Sequence, residues 1–306
     1  MQSTLHDASG LGESVQFIIG VDEAGRGCMA GPVGVAAALY RVSSAAVQYT
    51  VMDSKSMKEP TRAATVSAMC AELGDGGGGA FVAATVRDGT CCLARPQQQH
   101  PLQALAATLV DVAVILERNI LNATLEGMSA VCDAVVRAFN AAAGSRTLTP
   151  ATCAILIDGN RVPWAFMPDA DRERVRLQAA KKAEARKRIG ADHPALRGFG
   201  CTTVVKGDAT LLSVAAASVV AKVVRDTHAV SVMHREFPHY GFDRHKGYCT
   251  AAHEAELRAF GPCCFHRLDY APVQAALRAR AVPSPRDEEE GSARRTPRSR
   301  RAAPPS

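Results

Sequence analysis

Gly20-Val21-Asp22-Glu23-Ala24-Gly25-Arg26-Gly27 follows the apolar run Val15-Gln16-Phe17-Ile18-Ile19 and sets two adjacent carboxylates before a glycine-flanked arginine. The run is β-branched and aromatic with almost no charge, so it reads as a buried strand with Asp22 at its end. A carboxylate there is costly unless a cation meets it. Neighbouring strand residues face opposite ways, so Asp22 and Glu23 converge only if the chain turns at Glu23, which the glycines permit. A bivalent cation would offset their repulsion. Gly25 and Gly27 let backbone amides approach an anion, and Arg26 offers a planar fork to phosphate or hydroxyl oxygens. Two other readings stay open. One is a solvated turn after a strand. The other is a degenerate dinucleotide loop of Gly25, Gly27 and Gly31, whose spacing is wrong and whose acidic pair would repel pyrophosphate.

With 306 residues, 47% of them hydrophobic, the chain can build one large or two modest domains around a real core. Aromatics are scarce and alanine abundant, which implies tight packing of small side chains. None of the ten cysteines has C-x-x-C spacing, so they read as reduced thiols of an intracellular protein rather than a zinc site. No stretch reaches the roughly 20 apolar residues of a membrane span. The first fifteen residues carry Asp7 and Glu13 and no Lys or Arg, unlike a secretory or transit segment. The net charge of +6 is uneven: residues 171–190 hold +5, residues 278–301 hold +4, and the remainder holds −3. Two basic appendages on a slightly acidic body fit a nucleic-acid partner, and equally a solvated helix and a disordered tail.

Gly31 to Tyr40 reads as a second strand paired with the first through a glycine-containing turn. Met52 to Met57 leads into a short helix containing Arg62. Ala80 to Val86, after a run of four glycines, reads as a third strand, and residues 88–101 as a surface loop. Apolar residues recur at helical spacing from Leu102 to Ala143, with a break near Arg118-Asn119, predicting two consecutive helices. Ala154-Ile155-Leu156-Ile157 is a short buried strand that delivers Asp158, repeating the Asp22 arrangement. Cys201 to Val205 is a further strand, ending at Lys206-Gly207-Asp208, and Ala209 to Val230 a long helix that Asp208 could simply cap. A helix follows over Ala251 to Phe260. The domain pattern is a flexible 1–15, a body over 16–278 and a disordered basic tail over 279–306. Strands that end in carboxylates and alternate with helices describe an α/β protein with its site along the strand ends.

These residues resemble the type 2 ribonuclease H family, ribonuclease HII. The first block, with Gly31-Pro32-Val33 after it, looks like the family's signature. Asp53-Ser54-Lys55, Asp158-Gly159-Asn160, Lys206-Gly207-Asp208, Ala216 to Asp226, His245-Lys246-Gly247-Tyr248, Gly261-Pro262 and His266-Arg267 match further blocks in the family's order. The resemblance spans roughly residues 17 to 277. It implies a ribonuclease H-like mixed central sheet flanked by helices, with a small helical C-terminal part.

By this resemblance Asp22, Glu23, Asp158 and Asp208 form a four-carboxylate site for one or two Mg²⁺ or Mn²⁺ ions, oxygen ligands suiting hard cations. The implied activity is endonucleolytic cleavage of RNA paired with DNA, with incision 5′ of single ribonucleotides in duplex DNA. RNA-DNA hybrid and ribonucleotide-containing duplex are the expected partners, and the chain is expected to act as a monomer, with accessory subunits left open. Selectivity then rests on the 2′-hydroxyl, which Gly25, Arg26 and Gly27 would read. Tyr248 would pack beside the sugar at the RNA-to-DNA junction, or else cap the core as a loop tyrosine. Lys55, Arg62, Lys222 and Arg225 resemble positions near backbone phosphates, or are ordinary surface and helix-end charges. Cys28 and Met29 stand where relatives often carry proline and leucine. The stretch 165–199 is an insertion, read either as an arm gripping duplex backbone or as a solvated loop. The arginine-rich tail reads as a nuclear address or a tether for nucleic acid. Alternatives are a non-catalytic binding module of the same fold, a dinucleotide-dependent enzyme, and a family member preferring long hybrids.

Overall fold

The first strand, β1 (Phe17–Ala24), buries both faces, and this decides what lies on either side of it. The protein is described here by a computed structural model covering residues 11–12, 14–42, 47, 49–52, 54–97, 100–144 and 147–281. Asp53, the first ten residues and the sequence beyond Ala281 lie outside the described residues. β1 pairs antiparallel with β2 (Val33–Arg41) in the register Asp22 to Ala36 and Glu23 to Val35, as the glycine-containing turn predicts. Helices α1 (Glu59–Glu72) and α2 (Gly79–Asp88) follow, then strands β3 (Thr90–Ala94) and β4 (Leu102–Val110). Helices α3 (Val112–Arg118) and α4 (Ile120–Ala142) lead to β5 (Cys153–Asp158). After α5 (Asp169–Ala179) and α6 (Ala183–Arg186) comes β6 (Thr202–Val204). The described residues close with α7 (Gly207–Thr210), α8 (Leu212–His228), α9 (Phe242–His245), α10 (Ala251–Phe260) and α11 (Ala271–Ala281). The sheet order is β3-β4-β2-β1-β5-β6; the β1–β5 and β5–β6 pairs are parallel and the other three pairs antiparallel.

Side chains alternate across this sheet with period two. Ile19, Val21, Val35 and Ala37 pack against Val131, Val135 and Phe139 of α4. Ala36, Ala38 and Leu105 pack on the other face against Val66, Met69, Ala216 and Val220 of α1 and α8. The contact with α8 is unusually close. A Cβ on Gly20 would stand 2.1 Å from the Ser213 carbonyl carbon, so only glycine lets the helix lie on β1 there.

Four expectations are corrected. Leu102 to Val110 is a strand, not helix: it is buried on both faces, and such a run has no polar side from which periodicity could tell strand from helix. Ala80 to Val86 is helical, because the glycine run turns the chain and the Asp75 carboxylate accepts from the Phe81 N–H at 3.0 Å. Phe81 and Thr85, four apart, then face the core. The expected loop 88–101 contains β3, an edge strand against β4. The long helix from Ala209 is broken at Leu211, whose backbone is extended, and it passes into a π-helical turn at Ala229–His234. The predicted break at Asn119 is present; its side chain accepts from the Asn122 N–H and starts α4.

Candidate active site

β1 and β5 run parallel with Val21 beside Ile157, so one step further Asp22 and Asp158 lie side by side. The strand does not turn at Glu23, as the sequence reading required. It continues to Ala24 and turns at Gly25, where φ is +93° and a side chain would collide with Arg225. Asp22 is buried, its carboxylate accepting from the Glu23 N–H at 2.7 Å, and the Ser218 hydroxyl, which favours its charged form, lies 2.9 Å from that of Ser54. Burial raises its pKa well above the usual carboxylate range, and Glu23 and Asp158 push it further the same way. Burial also raises Glu23, with Asp158 adding to it and Arg26, 3.2 Å away, opposing it.

Asp158 accepts from the Gly207 N–H at 2.7 Å, a bond made possible by the left-handed backbone of Lys206 (φ 58°). Asp208 comes next in the chain and lies 3.5 Å from the ammonium of Lys55. It caps no helix: α8 starts beyond it without a side-chain cap. The structure thus brings Asp22, Glu23 and Asp158 into mutual repulsion and sets Asp208 at the edge of that group. Among the described residues no three acidic, histidine or cysteine side chains come together as a group that could hold a metal ion. The donors present still fit a hard cation: all are oxygens, and the buried Asp22 faces like charge where positive charge would relieve it.

The loop after β1 is held from beneath by two buried arginines. Arg267 donates to the carbonyls of Gly25 (2.8 Å), Arg26 (2.9 Å), Gly31 (2.9 Å) and Pro32 (3.3 Å), and the Tyr270 hydroxyl also donates to Arg26. Arg225 donates to Pro32 (3.3 Å), Ala30 (3.4 Å) and, across to the next loop, Lys246 (2.6 Å). A trans peptide sends C=O and N–H in opposite directions. With the carbonyls of Gly25 and Arg26 drawn inward, the amides of Arg26 and Gly27 face outward, and among the described residues neither donates to the protein. Met29 and Ala30 donate to the Gly247 carbonyl, which joins this loop to the one bearing Tyr248. Cys28 and Met29 are fully buried, Met29 against Leu257 and Val273, so that departure from the family's pattern is absorbed by packing.

The four cations expected near phosphates divide. Lys55 is exposed and reaches Asp208. Arg62 and Arg225 are buried: Arg62 donates to the carbonyls of Ser54 and Met57, and both approach Asp226. Lys222 is bound to Asp226 at 3.0 Å and to the Tyr248 hydroxyl at 3.4 Å. These three charges therefore serve the wall behind the site, tied together by Asp226, which the sequence reading quoted without assigning it a role. Tyr248 is partly exposed rather than capping the core, with Lys222 4.7 Å and Arg225 5.2 Å from its ring centre. His253 was also missed: its Nδ1 meets the Tyr248 carbonyl at 2.9 Å and its Nε2 meets His266 Nε2 at 3.1 Å.

A mixed sheet with one buried and one half-buried carboxylate at adjacent strand ends, beside a loop presenting free amides, defines an α/β protein of the ribonuclease H-like kind. A model of the family described as Ribonuclease HII matches residues 19–273. Ribonuclease HII of Dechloromonas aromatica is 33% identical over 266 residues, covering 86% of this chain and 95% of that protein. Ribonuclease HII of Chlamydia caviae is 30% identical over 277 residues, covering 90% and 94%. Among solved structures, ribonuclease H2 from Pyrococcus horikoshii OT3 superposes with a TM-score of 0.46 at 17% identity, covering 87% of this chain and 100% of that one. The chain belongs to the ribonuclease HII family. It is accordingly a hydrolase, an endoribonuclease acting on RNA-DNA hybrids.

Proposed function

We propose that the enzyme incises ribonucleotide-containing duplex DNA on the 5′ side of the ribonucleotide, as well as long hybrids, with Asp22, Glu23, Asp158 and Asp208 holding one or two Mg²⁺ or Mn²⁺ ions. A divalent ion bound there supplies an activated water and stabilises the leaving 3′ oxygen. The protein's own residues do the rest. Asp22 and Asp158 are fixed by the Glu23 and Gly207 N–H groups, so the ligand oxygens are preorganised. The outward amides of Arg26 and Gly27 meet the 2′-hydroxyl, the group that distinguishes RNA from DNA. Tyr248 lies beside the sugar, its ring held by Lys222 and Arg225. The observation that carries this reading is the inward anchoring of the Gly25 and Arg26 carbonyls, which leaves two peptide donors next to a carboxylate cluster short of positive charge. The free cysteines support an intracellular setting, and the enzyme is read as acting as a single chain.

The test is incubation with a duplex containing one ribonucleotide under Mg²⁺ or Mn²⁺, beside Asp158→Asn and a chelator control. A nick 5′ of the ribonucleotide is expected, abolished by chelation and reduced at least about 10³-fold in the variant, several kcal/mol of transition-state stabilisation. Cleavage of long hybrids alone would remove the single-ribonucleotide part. Tight binding without cleavage under either metal would favour a non-catalytic module.

A further inference from the structure

The segment between Asp158 and Asp208 leaves from one site carboxylate and returns to another. It is folded onto the body. Trp164, Val175, Ala185 and Leu196 are buried, and Glu126 of α4 accepts from the Ala191 N–H at 3.1 Å while lying 3.4 Å from Arg118 and 3.2 Å from His193.

Its many cations are of two kinds. On α5 each arginine has a carboxylate three residues before it: Arg172 with Asp169 (3.2 Å), Arg174 with Asp171 (2.6 Å), Arg176 with Glu173 (3.8 Å). That helix is internally neutralised. At and after the α5–α6 turn the balance fails. Lys181, Lys182 and Arg188 are exposed and make no ion pair among the described residues, and Arg186 bonds only the Ala179 carbonyl. Arg188 also lines a cleft of about 450 Å³ together with Arg161, three residues after Asp158 and likewise without an ion-pair partner. Unbalanced positive charge therefore runs from beside the site out along the turn.

We propose that Lys181, Lys182 and Arg188 form a second contact for duplex DNA, gripping backbone phosphates of the flank beyond the incised ribonucleotide. The occupant follows from charge complementarity: a duplex offers one negative charge per about 1.7 Å, and point charges on long side chains suit it without regard to sequence. The proposal rests on the nuclease reading only for which duplex is held, and its test needs no cleavage.

Binding of an all-DNA duplex of about 30 base pairs is measured by fluorescence anisotropy in chelator at several salt concentrations, using the full chain. K181Q/K182Q/R188Q is expected to lower the salt slope by about 2.7, and the affinity near 0.1 M salt at least about 10-fold, because three phosphates keep their counterions. K181R/K182R/R188K, which keeps the charges, restores both. D171N/R174Q, which removes an ion pair and no net charge, leaves the slope as it was. A slope within about 0.5 of the starting protein in the triple variant overturns the proposal, as does an equal fall in D171N/R174Q. Because the ligand carries no ribonucleotide, failure here leaves incision standing, and failure of incision leaves this binding result readable.

Discussion

Arg225 and Arg267, beneath the loop after β1, are almost wholly buried and spend their guanidiniums on backbone carbonyls, whereas Lys181, Lys182 and Arg188 face water without carboxylate partners among the described residues. In composition both groups are simply basic. The difference is what each charge is asked to satisfy. A planar fork with several fixed donors can close off four carbonyls at once, and a lysine cannot. A phosphate backbone needs only positive charge at the right distance. Arginine-to-lysine exchange therefore separates the two regions. Arg267→Lys is expected to destabilise the protein by about 3 kcal/mol, since the buried Gly31 carbonyl loses its donor at about 1–3 kcal/mol and those of Gly25 and Pro32 keep only the long bonds from Cys28 and Arg225. Arg188→Lys is expected to leave both the melting temperature and duplex affinity unchanged. Thermal melts and salt-dependent binding of the two variants check this, and equal behaviour would erase the distinction.

How each region is seated also differs in acid. The Tyr248 loop rests on His253 and His266, fully buried, and His228 lies close by in the same C-terminal part. Burial lowers all three pKa values, to about 3 for His253 and about 4 for His266 and His228. The unfolded chain takes up these protons near pH 6.5, the folded one only near pH 3–4. Stability is thus fully present above pH 6.5 and declines as pH falls toward 4, with a limiting slope of about 1.4 kcal/mol per pH unit for each histidine. The stretch around Ala191 and His193 is seated on Glu126. Burial alone would raise it, but His193, the Ala191 N–H and Arg118 outweigh burial and lower its pKa, so its contribution is lost only below about pH 4.5. Segment-resolved hydrogen exchange between pH 7 and 4 should therefore show residues 245–266 loosening before residues 183–200. Loosening in the reverse order would show that the histidine pair does not govern the Tyr248 loop.

The same contrast explains what could be read from the sequence. The places of Asp22 and Asp158 at strand ends and the antiparallel β1–β2 pair were legible because a carboxylate ending an apolar β-branched run is locally conspicuous, whereas Asp208 stood out only through the family resemblance. β4 was not legible, since burial on both faces removes the alternation that marks a strand. Nor was α2, whose β-branched residues suggest a strand until the glycine run and the Asp75 cap override them. The inward roles of Arg62 and Arg225 were hidden because a lysine or arginine in a helix reads alike whether it faces phosphate or a buried carbonyl. The role of Arg267 could not be read because its partners, the carbonyls of Gly25, Arg26, Gly31 and Pro32, lie far back in the chain and only the fold brings them to it. Asp226 and His253 were passed over because part of what they hold, Arg62 and His266, lies outside their own helices. For Asp226 one signal was available, the i,i+4 spacing from Lys222.

The smallest expected effect concerns Tyr248, whose ring meets Lys222 and Arg225. Its hydroxyl lies 3.4 Å from Lys222, a long contact, while its ring lies within 4.7–5.2 Å of two cationic groups. If the ring is what meets the sugar, Tyr248→Phe keeps it and loses only a weak, half-exposed hydrogen bond, so stability should change by no more than about 0.5 kcal/mol and incision by less than about 3-fold. Tyr248→Ala removes the ring and about 1–3 kcal/mol of stacking-type contact, so single-ribonucleotide incision should fall about 10-fold or more. Long hybrids, which hold many ribose hydroxyls, should suffer less than a duplex with one. If phenylalanine proves as damaging as alanine, the hydroxyl and its Lys222 bond are the working part. The wall of cations behind the tyrosine would then reach the substrate through that bond rather than through the ring they hold in place.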